Sequence, residues 1–165
     1  MKFILGIDPG LTGAIAFLDE NGKFIAVHDM PVMPNGKAKA RIKQQVNAAA
    51  LVAIMRDAQT YTTLFLTAYL EQVSARPGEG VSSSFSFGDS FGTVRGVLAA
   101  LGIPMTMVQP HAWKKHFGLL RLDKDYSRTK AQQLYPCAPL ELKKHGGRAE
   151  ALLIGAYGVQ EGKIK

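Results

Sequence analysis

Three acidic residues stand where chemistry on phosphate esters can be done. Asp8 ends the apolar run Phe3-Ile4-Leu5-Gly6-Ile7 and opens a Pro9-Gly10 turn, and a second apolar run from Gly13 to Phe17 leads straight back. Glu71 ends another apolar stretch, 63–70. Glu150 lies in Arg148-Ala149-Glu150-Ala151-Leu152-Leu153-Ile154, near the start of a mostly apolar helical segment. Ligands of open α/β sheets gather at strand ends. Two carboxylates brought together repel each other unless a proton or a cation intervenes. Oxygen donors suit Mg²⁺ or Mn²⁺, and a pair of such ions can activate water and stabilise the leaving oxygen of a phosphodiester. Each acid also has a plainer reading. An Asp before Pro stabilises a turn, and a first-turn Glu is favourable at any helix start.

The elements that must position these acids follow from the hydrophobic pattern. Residues 2–8, 13–18 and 23–28 read as an antiparallel meander, with Asn21-Gly22 as a hairpin turn. A Pro/Gly-rich link at 31–43 carries Lys37, Lys39, Arg41 and Lys43 without an acid, and helical spacing begins at Gln44 and runs to Asp57. A strand at 63–70 leads into a Gly/Ser-rich loop at 74–92, then a helix over 93–101, a strand at 105–108 and helices from Pro110, over 123–135 and over about 148–157. Strands alternating with helices after a meander predict a mixed five-stranded sheet, three strands antiparallel and two parallel, flanked by helices. With 165 residues and no linker composition, 1–165 reads as a single domain.

Gly6-Ile7-Asp8-Pro9-Gly10, Leu70-Glu71-Gln72-Val73 and His145-Gly146-Gly147-Arg148-Ala149-Glu150-Ala151-Leu152, in that order, resemble the RuvC family of Holliday-junction resolvases within the RNase H-like superfamily. The stretches 77–88 and 109–115 resemble its phage-type branch. The resemblance implies a homodimeric, Mg²⁺-dependent endonuclease that nicks branched DNA, with Mn²⁺ able to substitute and two ions per site. It implies Asp8 as the metal-bridging acid, with Glu71 and Glu150 as further ligands. Family members supply a fourth ligand shortly before the helix acid. Here Gly146 stands where phage-type relatives have Asp, and His145 is adjacent. Either His145 is the fourth ligand, or the site is weakened and the chain binds branched DNA while cutting it poorly.

Net charge is +7, and the segment from His111 onward holds 11 Lys and Arg against 5 Asp and Glu. Such a surface favours polyanions. Lys114, Lys115, Arg121, Lys124, Arg128 and Lys130 are the candidate phosphate contacts, each of which can equally be a solvated charge. Ser82 and Ser83 can donate to phosphates, Phe85 and Phe87 can stack on exposed bases or fill core, and Arg95 follows on the next helix. Trp113 reads as a buried anchor, and Val97, Leu98 and Leu101 as core or a self-association face. The N-terminus lacks a signal-peptide pattern, no apolar run approaches a membrane span, and the lone Cys137 fits a reducing cytosol, of a host if the chain is phage-encoded. A sugar-kinase or actin-like phosphotransferase, which also opens on strand-Asp-x-Gly, needs a far longer chain.

Overall fold

The apolar alternation of the first thirty residues closes as three antiparallel strands, β1 (Phe3–Asp8), β2 (Ala14–Asp19) and β3 (Phe24–Asp29). Gly22, at φ 86°, makes the turn into β3 possible. These elements come from a computed structural model that describes residues 2–36, 43–60, 66–74, 78 and 80–164.

Next comes a small antiparallel hairpin, β4 (Val32–Asn35) with β5 (Lys43–Val46), where the sequence suggested a link and then a helix from Gln44. The helix α1 (Ala48–Thr60) starts later because Asn47 caps it, its Oδ1 accepting the Ala50 N–H at 3.1 Å. Gln44 and Gln45 pair with Pro34 and Met33 instead. Lys37, Lys39 and Arg41 lie outside the described residues, as does the start of the expected strand at 63–70.

Strand β6 (Leu66–Glu71) leads to α2 (Val81–Ala100), twenty residues long. The sequence placed a loop over 74–92, and its part from Val81 onward is helix. Gly and Ser are poor helix formers, but Ser90, Val94, Val97 and Leu98 bury against the sheet, and tertiary burial outweighs local propensity. Strand β7 (Met105–Val108), α3 (Pro110–His116) and α4 (Lys124–Leu134) fall where the pattern put them. A 3₁₀ turn at Lys143–His145 opens into α5 (Gly146–Ile164), longer at both ends than expected.

The main sheet has the order β3-β2-β1-β6-β7, with β6 parallel to β1 and β7 parallel to β6, as expected. Alternate residues serve two cores. Leu5, Ile7, Ile15, Phe17 and Leu70 face α1 and α2, whereas Ile4, Ala14, Ala16 and Leu18 face α5. Val97 and Leu98 are buried in the first of these, which settles their role as core.

Helix α5 crosses β1 at a distance that excludes side chains. A Cβ on Gly6 would collide with the Ala151 carbonyl oxygen and stand 2.7 Å from the Gly155 Cα. A Cβ on Gly147 would strike the Thr12 carbonyl, and one on Gly158 the Tyr69 ring. Gly6→Ala is therefore expected to destabilise the fold by about 3 kcal/mol, since backbone cannot move aside. Gly96→Ala, on an α2 position with nothing within 4 Å, should stabilise by about 0.5–1 kcal/mol. Urea unfolding of both variants checks the pair of signs.

Candidate active site

The register of β1 and β6 sets the site. Ile7 is paired with Leu70, so Asp8 and Glu71 are the next neighbours along two parallel strands. Both project to the α5 side, like Gly6 and Tyr69 two residues before them. Across the sheet, Asp8 pairs with Ala14 and Ala14 with Asp29, while Glu71 pairs with Val108. One row of the sheet thus runs Asp29, Ala14, Asp8, Glu71, Val108.

Local structure holds each acid. The Gly10 N–H donates to Asp8 Oδ1 at 3.1 Å, so Asp8 shapes its own turn. Glu71 is buried, and Trp113 Nε1–H donates to its Oε1 at 2.9 Å. Trp113 is fully buried as expected, but the sequence did not disclose that its indole positions the acid. Lys114 Nζ lies 5.1 Å from the Trp113 ring centroid, which brings a cation to the same corner.

Glu150 comes from α5. Gly147, Ala151, Gly155 and Gly158 form the stripe against the sheet, and Glu150 flanks it, half-buried, on the side of Tyr157, whose ring packs 5.5 Å from His116 of α3. That is the β6 side of the helix. Arg148 is on the opposite flank, where its guanidinium grips Asp29 of β3 through Nε to Oδ1 at 2.6 Å and Nη2 to Oδ2 at 2.8 Å. Arg148 Nη1 also donates to the Pro139 carbonyl at 3.2 Å. This pair was not singled out in the sequence, because 119 positions separate its members.

His145 is buried in the turn that precedes α5. Its ring Nδ1 accepts the Leu142 N–H at 3.2 Å, while the backbone N–H of His145 donates to the Leu142 carbonyl at 2.9 Å. Its charged neighbours are Arg148, Lys144, Asp29 and Glu141, and burial pushes its pKa down. A neutral ring accepting at Nδ1 carries its proton on Nε2, and ligating a metal through Nε2 would break the bond that closes the turn. Gly146 has ordinary helical geometry, φ −56° and ψ −43°, and no atom within 4 Å of a Cβ placed there.

The acids fit a hard divalent cation in chemistry, with oxygen donors only and two of them adjacent. Among the described residues no three His, Cys, Asp or Glu side chains already stand together as a metal cluster. Beside Glu71 opens a cleft of about 250 Å³ lined by Gln72, Ser74, Phe87, Gln109 and His111 among others. Gln109 Nε2 donates to Gln72 Oε1 at 2.7 Å across its floor.

The candidate DNA residues divide by position. Phe85 and Phe87, two apart on a helix instead of an extended loop, point different ways: Phe85 is 77% exposed, and Phe87 lines the cleft. Ser82 and Ser83 are exposed in the first turn of α2. Arg95 is on that same helix, exposed, its guanidinium 5.4 Å from the Phe91 ring. Lys115 and Arg121 are exposed, Arg121 at φ 61°, and Lys130 is half-buried. Arg128 turns inward, with Nη1 donating to the Leu140 carbonyl at 3.4 Å and a buried Nε. The side chain of Lys124 lies outside the described residues.

A mixed sheet in this order, with α5 over its central strand and two acids at adjoining strand ends, defines an RNase H-like α/β protein. Two solved structures from Thermus thermophilus share the fold. RuvC in complex with Holliday junction substrate superposes with TM-score 0.61 at 15% identity, over 98% of this chain and 95% of that one. A second RuvC structure gives 0.52 at 16% identity, over 97% and 96%. In sequence the chain is similar to the chloroplastic Holliday junction resolvase MOC1 of Chlamydomonas reinhardtii, 29% identical over 152 residues. That match spans 82% of this chain and 17% of that protein. No protein-family model matches the chain. The chain thus has the fold of those RuvC structures and is similar in sequence to about a sixth of the length of a Holliday junction resolvase.

Two measurements test the local chemistry. Trp113→Phe keeps the ring but removes the donor to buried Glu71, and is expected to cost about 1.5–3 kcal/mol in urea unfolding, the range for hydrogen bonds to charged groups. The Arg148 guanidinium holds the Asp29 carboxyl below its ordinary pKa of 3.8. The pair's contribution to stability is then complete above that pH and lost as pH falls through the lowered value. NMR titration of Asp29 should show its pKa rising toward 3.8 in Arg148→Met.

Proposed function

We propose that the chain is a metal-dependent endodeoxyribonuclease that nicks four-way junctions or related branched DNA. The observation that carries this reading is the β1–β6 register, which makes Asp8 and Glu71 neighbours beneath the helix that bears Glu150. Asp8 and Glu71, with Glu150 swung in, would hold Mg²⁺, or Mn²⁺ in its place, as two ions. When bound, such ions supply water activation and stabilisation of the leaving oxygen. The chain's own residues do the rest. The Gly10 N–H and the Trp113 indole orient the first two acids.

Ser82 and Ser83, at the start of α2, offer donors to a phosphate. Lys114, Lys115, Arg121, Lys130 and Arg95 supply cations, with Lys124 by sequence, and exposed Phe85 offers a face to an unstacked base. Arg128, bound to a carbonyl, serves DNA indirectly by fixing its loop. A junction with two-fold symmetry calls for a homodimer presenting two such sites. Among the described residues no helix is long and apolar enough to cross a membrane, and exposed Cys137 suits a reducing compartment such as the cytoplasm.

A second reading, a junction binder that cuts poorly, is favoured by one observation: Gly146 provides no ligand, and His145 Nδ1 is engaged with Leu142. A synthetic four-way junction separates the two. The nuclease reading expects nicking with Mg²⁺ or Mn²⁺, abolished in Asp8→Asn while junction binding persists. Retained binding with no cleavage under either ion leaves only the binder. The open space at Gly146 means that Gly146→Asp should fold normally. If a ligand is missing there, that variant raises activity about tenfold or more. If His145 is the ligand, Gly146→Asp changes little and His145→Ala abolishes nicking.

A further inference from the structure

The first turn of α5, which carries Glu150, rests on the Thr12 carbonyl through the Gly147 backbone but has few side chains to grip with. Gly146 and Gly147 provide no side chains, and an ideal Cβ at Gly146 meets nothing within 4 Å. Ala149 is buried but small. The remaining side chain of that turn is Arg148, and it makes the three hydrogen bonds described above, two to Asp29 on the edge strand and one to the Pro139 carbonyl. The fork is bidentate, which fixes the orientation of the guanidinium as well as its distance.

At 100° per residue, Arg148 and Glu150 lie about 160° apart around the helix. A hold on Arg148 toward β3 therefore determines how Glu150 is presented toward β6. The sheet row supplies the same frame from below, because Asp29, Asp8 and Glu71 belong to one line of paired residues across β3, β1 and β6.

We infer that Asp29 and Arg148 are positioning residues for the metal centre: their fork sets the rotation of the first turn of α5 and so the reach of Glu150 to the ion shared with Asp8 and Glu71. This rests on the proposed nuclease reading. Asp29 is 64% exposed in its side chain and Arg148 20%, and an ion pair open to water on one side adds little to stability. The fork thus acts on geometry far more than on folding.

The test uses the full chain and two single variants, Asp29→Asn and Arg148→Lys, with the exchange Asp29→Arg/Arg148→Asp as rescue. Mn²⁺ binding to DNA-free protein is measured by electron paramagnetic resonance, junction binding by gel shift without metal, and nicking against Mn²⁺ concentration. The inference expects about a tenfold or greater rise in the Mn²⁺ dissociation constant and in the Mn²⁺ needed for half-maximal nicking. Thermal midpoint and junction affinity should stay near wild type, and the exchange should recover part of the loss. Unchanged Mn²⁺ binding in both single variants, with wild-type nicking intact, overturns the positioning role alone. A loss that tracks unfolding, and that the exchange does not recover, also overturns it. Wild-type protein that neither binds Mn²⁺ nor nicks overturns the nuclease reading and this inference with it.

Discussion

Everything at the acidic end of this molecule depends on how closely α5 lies on β1. At Gly6 the strand and at Gly147, Gly155 and Gly158 the helix have no side chain, and backbone meets backbone or ring at each point. Interiors are close-packed, so a contact of this kind fixes depth with little tolerance. The stripe runs from the Thr12–Gly13 turn, beside Asp8, toward Gly22 at the far end of β2, where Val159 packs. One helix therefore spans the sheet, and its N-terminal turn arrives at the strand ends that carry Asp8 and Glu71. Glycine in a helix interior costs about 0.5–1 kcal/mol relative to alanine, and the buried Ala149 to Ile154 segment offsets that cost.

The two faces of the sheet then divide the labour. The face toward α1 and α2 is apolar, with Leu5, Ile7 and Phe17 sharing a core with Leu51 and Met55 of α1 and Leu98 of α2. The α5 face is apolar over most of its length but ends in a polar row. Burial of Glu71 at this edge is tolerable because an indole N–H meets it, as buried polar groups require. Helix α2 joins the two regions. Its later half fills the apolar core, while its first half carries Phe87 to the cleft beside Glu71 and leaves Phe85 in solvent.

The meander, β7, α3 and α4 were legible because each has a clean local period and turn residues such as Asn21-Gly22. The first half of α2 was not, since nothing in Ser82-Ser83-Ser84 or Gly88 announces a helix that burial against the sheet stabilises. The β4–β5 hairpin was hidden by an apolar spacing that continues into α1, and only the Asn47 cap marks where the helix begins. Among site residues, Asp8, Glu71 and Glu150 stood out as lone carboxylates in apolar contexts. Trp113 stood out as a core residue but not as a donor, because the partner it meets is 42 positions away.

The sequence by itself determined which segments are strands and helices with strong periodicity, where acids end them, and that the later third is basic. Those are short-range properties, set by the order of side chains along a few turns or strand pairs. Only the tertiary structure decided that Asp8 and Glu71 are neighbours, that Trp113 holds Glu71, that His145 closes a turn, and that Arg148 reaches Asp29 on the far strand. Such facts depend on strand register and helix rotation, which one residue of slip would change completely, and which the order of side chains within one segment does not specify.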